Sequence, residues 1–354
     1  MDRLILLVYA VILNSAFCRS ENSQIEDESA GFLATSTPEP VGDAQIIEQA
    51  ITKMESVAAT AEKLAREGIL PKDETNRHYD EIIDMLVDVT EMVKAKTNAY
   101  KFLNAKGIDK VIFPNLDIPY SKLRGQILIL LKVLFEVAPT TTDAVIPIST
   151  IDKLLDIFEN DDKQAMKAHV LDILYIWLPK NPKAQVRVMK TKGLEPFYDQ
   201  MANLDTPVIS TILDLFNQIL TEHIKVRQGT QKTKADSQTL QIYKQIGLIE
   251  RMSTPVVCNG LLNIFKTTQP WSHINEGTKI IGPVLDLVKK MKPYCMNTLR
   301  RRTNALEPFK ELLEYVQEAG KKEHLESLNL NVSDIKAVLE DYVRELKHTI
   351  KDEF

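Results

Sequence analysis

The segment Val170–Leu178, VLDILYIWL, is apolar on nearly every side of a helical wheel. Such a helix is stable in water only when neighbours cover it on several sides, so it belongs inside a stack of other helices. Pro179 ends it, because proline has no backbone N–H to donate. Asn181-Pro182 then restarts a helix: the asparagine oxygen caps free N–H groups, and the fixed φ of proline suits a first turn. Gly193 breaks that second helix, and Leu194 and Phe197 begin the apolar face of a third.

This unit is copied along the chain. Ile127–Phe135, ILILLKVLF, lies 43 residues upstream of Val170–Leu178 and matches it without a gap. The same shift lays Gly193-Leu194-x-x-Phe197 on Thr150-Ile151-x-x-Leu154, and again on Gly107-Ile108-x-x-Val111. Gly247-Leu248-x-x-Arg251-Met252 follows after a step of 54, which contains the polar insertion Val226–Thr239. A period near this value with two or three helices per unit is that of armadillo and HEAT solenoids. The expected fold is therefore all-α, an armadillo-like right-handed superhelical solenoid of about four repeats with a helical C-terminal cap.

The chain has 354 residues, 44% of them hydrophobic and 26% charged, which permits a large helical core. A net charge of -5 gives no footprint for nucleic acid, whose backbone calls for clustered excess lysine and arginine. Ile127–Val137 is too short to cross a bilayer and contains Lys132 and Glu136. Residues 1–18 read as a secretory signal peptide, with Arg3 before the apolar block Leu4–Leu13 and small residues near Ala16. Residues 19–45 are expected to be disordered, because Glu21–Gln45 carries six acidic residues, Pro38 and Pro40, and neither lysine nor arginine.

An N-terminal helical region is expected at 46–75, the repeats at 76–292 and the cap at 293–350, where Ser333 or Asp334 would be the N-cap of the last helix. The final residues, Lys351-Asp352-Glu353-Phe354, vary the K-D-E-L retrieval signal at its last position. Leader and tail together predict residence in the endoplasmic reticulum lumen, a tail-reading retrieval receptor as one partner, and no membrane insertion once the leader is cleaved.

The sequence offers little chemistry. None of the six histidines stands at a short metal-ligand spacing, and there is no phosphate-binding glycine loop, dinucleotide fingerprint or nucleophile elbow. No enzyme, metal or cofactor is predicted. Cys258 and Cys295 form an even pair that an oxidising compartment can bridge, but two thiols buried on separate helices is the preferred reading, because spacing cannot bring their Cα atoms into range. Asn331-Val332-Ser333 is the single N-glycosylation sequon.

What remains is a surface. Aligning the long helices places Asp172, Asp214 and Asn263 at equivalent positions, and Lys132, Tyr175, Asn217 and Lys266 three residues on. Lining the concave side of a solenoid, these seven residues would form a polar stripe in one groove. Polar groups on such apolar helices must reach water or a partner, because burying them unpaired is costly. A merely solvated face is the competing reading.

Here the chain resembles a known family. Val170-Leu171-x-x-Leu174, Pro182-x-Ala184-Gln185, Gly193-Leu194, Thr221-Glu222 and Tyr243-Lys244-Gln245-x-x-Leu248, in that order around the polar insertion, look like the armadillo core of the Sil-type nucleotide exchange factors of the endoplasmic reticulum. The resemblance covers roughly Arg77 to Lys266. It implies a monomeric co-chaperone of BiP, the lumenal heat-shock chaperone, gripping one lobe of its nucleotide-binding domain and releasing ADP. By position it would assign the groove stripe to that contact. The chain departs from the family in its basic insertion (Arg227, Lys232, Lys234) and in an N-terminal region without cysteine after Cys18. The rival reading is a lumenal armadillo scaffold that binds extended peptides or client proteins.

Overall fold

The computed structural model describes residues 42–68, 71–229, 233–267, 278–318 and 320–352. Every regular element among them is helical; besides the short segments Ile108–Ile112, Phe113–Asn115 and Met201–Asn203, these are α1 (Asp43–Arg66), α2 (Lys72–Val93), α3 (Lys96–Asn104), α4 (Ser121–Val137), α5 (Pro139–Val145), α6 (Thr150–Asn160), α7 (Gln164–Trp177), α8 (Pro182–Thr191), α9 (Glu195–Gln200), α10 (Thr206–Gln228), α11 (Lys234–Ile246), α12 (Leu248–Met252), α13 (Pro255–Thr267), α14 (Thr278–Leu299), α15 (Leu306–Gln317), α16 (Lys322–Ser327) and α17 (Val332–Asp352). No described helix is long and apolar enough to cross a membrane.

The long helices form one row, α2 on α4, α4 on α7, α7 on α10, α10 on α14 and α14 on α17. Shorter helices back that row: α6 lies against α7 and α8, α8 against α11, and α13 against α14. This is an all-α solenoid, and it satisfies the demand made by the apolar repeats. In α7 the side chains of Val170, Leu171, Ile173, Leu174 and Trp177 are all buried, as are Ile127, Leu128, Leu130, Leu131, Leu134 and Phe135 in α4.

The breaks follow local chemistry. Asn181 caps α8, its side-chain oxygen accepting from the Ala184 N–H at 3.2 Å. Gly193 and Gly247 end α8 and α11 in the left-handed region, at φ 74° and 70°, where a Cβ would be strained. The glycine register is met differently upstream. Gly107 has φ -59°, and it is Lys106 that turns left-handed at φ 62°. Glycine is needed at 107 for space, since a Cβ there would stand 2.3 Å from the Phe102 ring. Thr150 opens α6.

Several expectations are corrected. Asp43, Ala44 and Gln45, expected to be disordered, are the first turn of α1. The expected boundary at 292/293 falls inside α14, which continues through both Pro283 and Pro293. A proline forfeits one helical hydrogen bond; α14 runs on because α10 and α17 cover it from both sides. Cys258 and Cys295 are not separate thiols: α13 packs on α14, brings their Cα atoms to 5.4 Å and leaves them joined by a disulfide. The cap of α17 is Asn331, whose Oδ1 accepts from the Asp334 N–H at 3.2 Å, rather than Ser333 or Asp334. The expected signal peptide, the acidic segment up to Val41, the residues Glu353 and Phe354, and the side chains of Lys351 and Asp352 lie outside the described residues.

Polar groups in the core are held individually. Lys167 is only 5% exposed, and its ammonium donates to the Phe158 carbonyl at 2.9 Å, to the Glu159 carbonyl at 3.4 Å and to Gln200 Oε1 at 2.8 Å, closing the C-terminus of α6. His223 is fully buried, and its Nε2 meets Gln185 Oε1 at 2.9 Å. Because the Gln185 amide donates to the Leu178 carbonyl at 3.0 Å, its oxygen must accept, which assigns the proton to His223 Nε2. Nδ1 has no partner among the described residues. Protonating it would bury an unpaired charge, and burial accordingly holds the ring at a pKa of about 4.

The native state thus binds fewer protons at His223 than the unfolded chain between about pH 6.5 and 4, so stability should fall as pH drops through that window. At 1.36 kcal/mol per unit, this amounts to at most about 3 kcal/mol. Urea midpoints measured at pH 7 and pH 4.5 check it; a His223→Gln variant with the same decrease as wild type would assign the effect to other groups.

Candidate functional site

The exposed face of the helix row carries a staggered ladder. Lys132 on α4 donates to Asp172 on α7 at 2.8 Å, and Tyr175 on α7 donates to Asp214 on α10 at 2.5 Å. Gln218, one turn beyond Asp214, donates to the Tyr175 hydroxyl at 2.5 Å and to Asp214 at 3.2 Å. Each rung therefore joins the later polar position of one helix to the earlier polar position of the next. The aspartate hydrogen bond holds the Lys132 ammonium above the usual lysine range, and the Asp214 carboxylate pushes the Tyr175 hydroxyl up.

Two adjoining hollows follow this ladder. One, of about 550 Å³, is lined by Lys132, Glu136, Asp172, Tyr175, Asp214 and Pro283. Residues from four helices, α4, α7, α10 and α14, can line one hollow only if that face of the row is concave. The second, of about 490 Å³, shares Asp214 and adds Asn217, Lys180, Lys225, Asp286 and Lys290. Lys290 pairs with Asp286 one turn earlier on α14. Glu136, Asp172 and Asp214 outnumber Lys132 around the first hollow, whereas Lys180, Lys225 and Lys290 around the second are matched by Asp214, Glu222 and Asp286.

Of the residues expected in the stripe, Lys132, Asp172, Tyr175 and Asp214 come together. Asn217 lies in the second hollow, but it is 3% exposed, and its Nδ2 donates across to the Pro283 carbonyl of α14 at 2.9 Å. The expected register fails at the next step: α14, not α13, lies beside α10. Asn263, on α13, is exposed and lines neither hollow. The side chain of Lys266 lies outside the described residues. The physical reason is that the helices from Lys234 to Thr267 belong to the backing layer, and the row resumes only with α14.

Other groups escaped the sequence reading. Glu136 and Gln218 follow Lys132 and Asp214 by four residues, the spacing of helical neighbours, so i,i+4 pairing would have found them. Lys180 has no such signal. It turns left-handed at φ 60°, and its N–H donates to Glu222 at 2.9 Å. Burial raises the Glu222 pKa, and the Tyr243 hydroxyl donates to the same carboxylate. Glu222 therefore fastens the turn after α7 to α10, and the lysine side chain is presented at the second hollow. Among the described residues no group of three or more His, Cys, Asp or Glu is placed to hold a metal.

No family model matches the chain, and no curated protein matches it. Among solved structures, the chain is similar to a computationally designed armadillo repeat protein for modular peptide recognition, at 10% identity and a TM-score of 0.42, covering 84% of this chain and 99% of that one.

The Lys132 and Asp172 side chains are 35% and 37% exposed, so their pair is screened by water. A double-mutant cycle of Lys132→Met and Asp172→Asn should give a coupling of about 0.2–1 kcal/mol by urea denaturation. Leu171→Ala, one residue from Asp172 but fully buried, should cost about 2–5 kcal/mol. A coupling above the Leu171 loss would make the ladder part of the folding core.

Proposed function

We propose that the concave face binds a folded protein partner, and that the chain is a nucleotide exchange factor for the lumenal heat-shock chaperone BiP. The observation that carries the first step is the pair of hollows spanning α4 to α14. They spread carboxylates and lysines over a broad face, which suits a folded surface of complementary charge better than a single extended strand. The second step rests on the resemblance of the Arg77–Lys266 stretch to Sil-type factors. The Cys258–Cys295 disulfide adds support, because such bonds persist in oxidising compartments. The leader and the KDEF tail support lumenal residence.

Exchange by such a groove needs no catalytic group. The face must fit the open, nucleotide-poor form of the chaperone lobe better than the closed one, since only differential affinity shifts a conformational equilibrium. Nucleotide must then weaken the complex by the same factor. A scaffold for extended peptides has no reason to sense ADP.

The test is stopped-flow release of a fluorescent ADP analogue from BiP on mixing with the chain lacking residues 1–18. Acceleration that saturates with protein concentration is expected, and an Asp172→Lys/Asp214→Lys double variant should lose at least tenfold of it while its melting temperature stays within a few degrees. No acceleration, from BiP that responds to another exchange factor, would leave the peptide scaffold as the better reading.

A further inference from the structure

Asn331 carries a chemistry that the groove does not use. It is exposed, as is Ser333 two residues on, and the two residues form the ends of the chain's single N-x-S/T sequon. Its two side-chain atoms have separate surroundings. Oδ1 faces the first turn of α17 and caps the Asp334 N–H at 3.2 Å, whereas Nδ2 makes no hydrogen bond among the described residues. An N-linked sugar attaches through Nδ2 and leaves the amide planar with its oxygen free to accept. The cap and a glycan can therefore coexist on one side chain.

The neighbourhood also leaves room. Asp334 pairs with Lys289 of α14 at 3.2 Å, and Lys289 precedes Lys290, which borders the second hollow. Adjacent residues on a helix point about 100° apart, given 3.6 residues per turn. Asn331, Asp334 and Lys289 line neither hollow, so a sugar on Asn331 is attached outside both.

We infer that Asn331 is an N-glycosylation site whose glycan is attached to the capping residue of α17. The donor class is an oligosaccharide linked to a lipid diphosphate. Its sugar C1–O bond to phosphate breaks, the C1–Nδ2 bond forms, the amide gives up one proton, and lipid diphosphate leaves; no oxidant or reductant is consumed. The inference rests on the lumenal reading proposed above.

The experiment expresses the full chain, with a reporter sequon in a short tag inserted between Ser20 and Glu21, in a eukaryotic secretory host. Glycans are read as mobility steps removed by peptide-N-glycosidase. Two steps are expected for the parent chain and for Ser333→Thr, and one for Ser333→Ala, which destroys the sequon but keeps the Asn331 cap. Asn331→Gln should also show one step. A modified reporter with no step from Asn331 would overturn the inference while leaving lumenal residence standing. An unmodified reporter and an unmodified Asn331 would overturn both. Binding of the parent chain to immobilised BiP should be unchanged within twofold after enzymatic removal of the Asn331 glycan; a larger change would overturn its placement outside the groove.

Discussion

The structure depends on helices that cannot stand alone. α7 buries Val170, Leu171, Ile173, Leu174 and Trp177 around most of its circumference, so it exists only between α4, α6 and α10. Burying each such side chain is worth about 1.5–3 kcal/mol, far more than an exposed ion pair returns. Stacking is thus set by apolar contact, and the polar positions on the open face are left with little say in stability. That division is what makes the face available for recognition.

The stagger of the ladder is a consequence of the stacking. From α4 to α7 to α10 the helices start 43 and 42 residues apart, whereas the paired polar residues stand 40 and 39 apart, an offset of nearly one turn. Lys132 therefore meets Asp172, and Tyr175 meets Asp214, instead of residues at the same repeat position meeting one another. The third rung breaks where the chain inserts α11 to α13 into the backing layer. Asn217 then finds the backbone carbonyl of Pro283, and becomes a buried fastening between α10 and α14 at the edge of the second hollow.

Much of this was legible in the sequence. All-round apolar helices at a 43-residue step imply stacking, Asn181-Pro182 implies a capped start, and Gly193 implies a helix break that recurs at Gly247; the structure has all three, and both glycines turn left-handed there. The missing parts share a cause. Whether a helix joins the row or the backing layer depends on contacts over more than 60 residues, as between Asn217 and Pro283, and local periodicity is silent about them. Asn263 was misplaced because its helix has the right pattern in the wrong layer. Lys180 was missed because nothing in Pro179-Lys180-Asn181 marks a left-handed residue; Glu222, 42 residues away, selects it. The disulfide likewise needed the packing of α13 on α14 before two cysteines 37 residues apart could be paired.

A groove whose charges are already paired with one another has a particular energetic character. Lys132 and Tyr175 each occupy one oxygen of Asp172 and Asp214, so a partner would share those carboxylates or displace bonds that are partly exposed and whose net contribution to the free protein is small. Exchange of one charge-assisted bond for another is then nearly neutral in affinity, and what the ladder supplies is orientation, approach rate and rejection of surfaces with the wrong sign. Binding strength must come from the apolar surface and backbone of the rims, such as Pro283 and Pro179. The two hollows also differ in charge: three carboxylates face one lysine in the first, and three face three in the second, so a partner of the proposed kind would meet an acidic end and a mixed one. On the reading proposed above, that asymmetry would be carried by side chains that the fold itself scarcely needs.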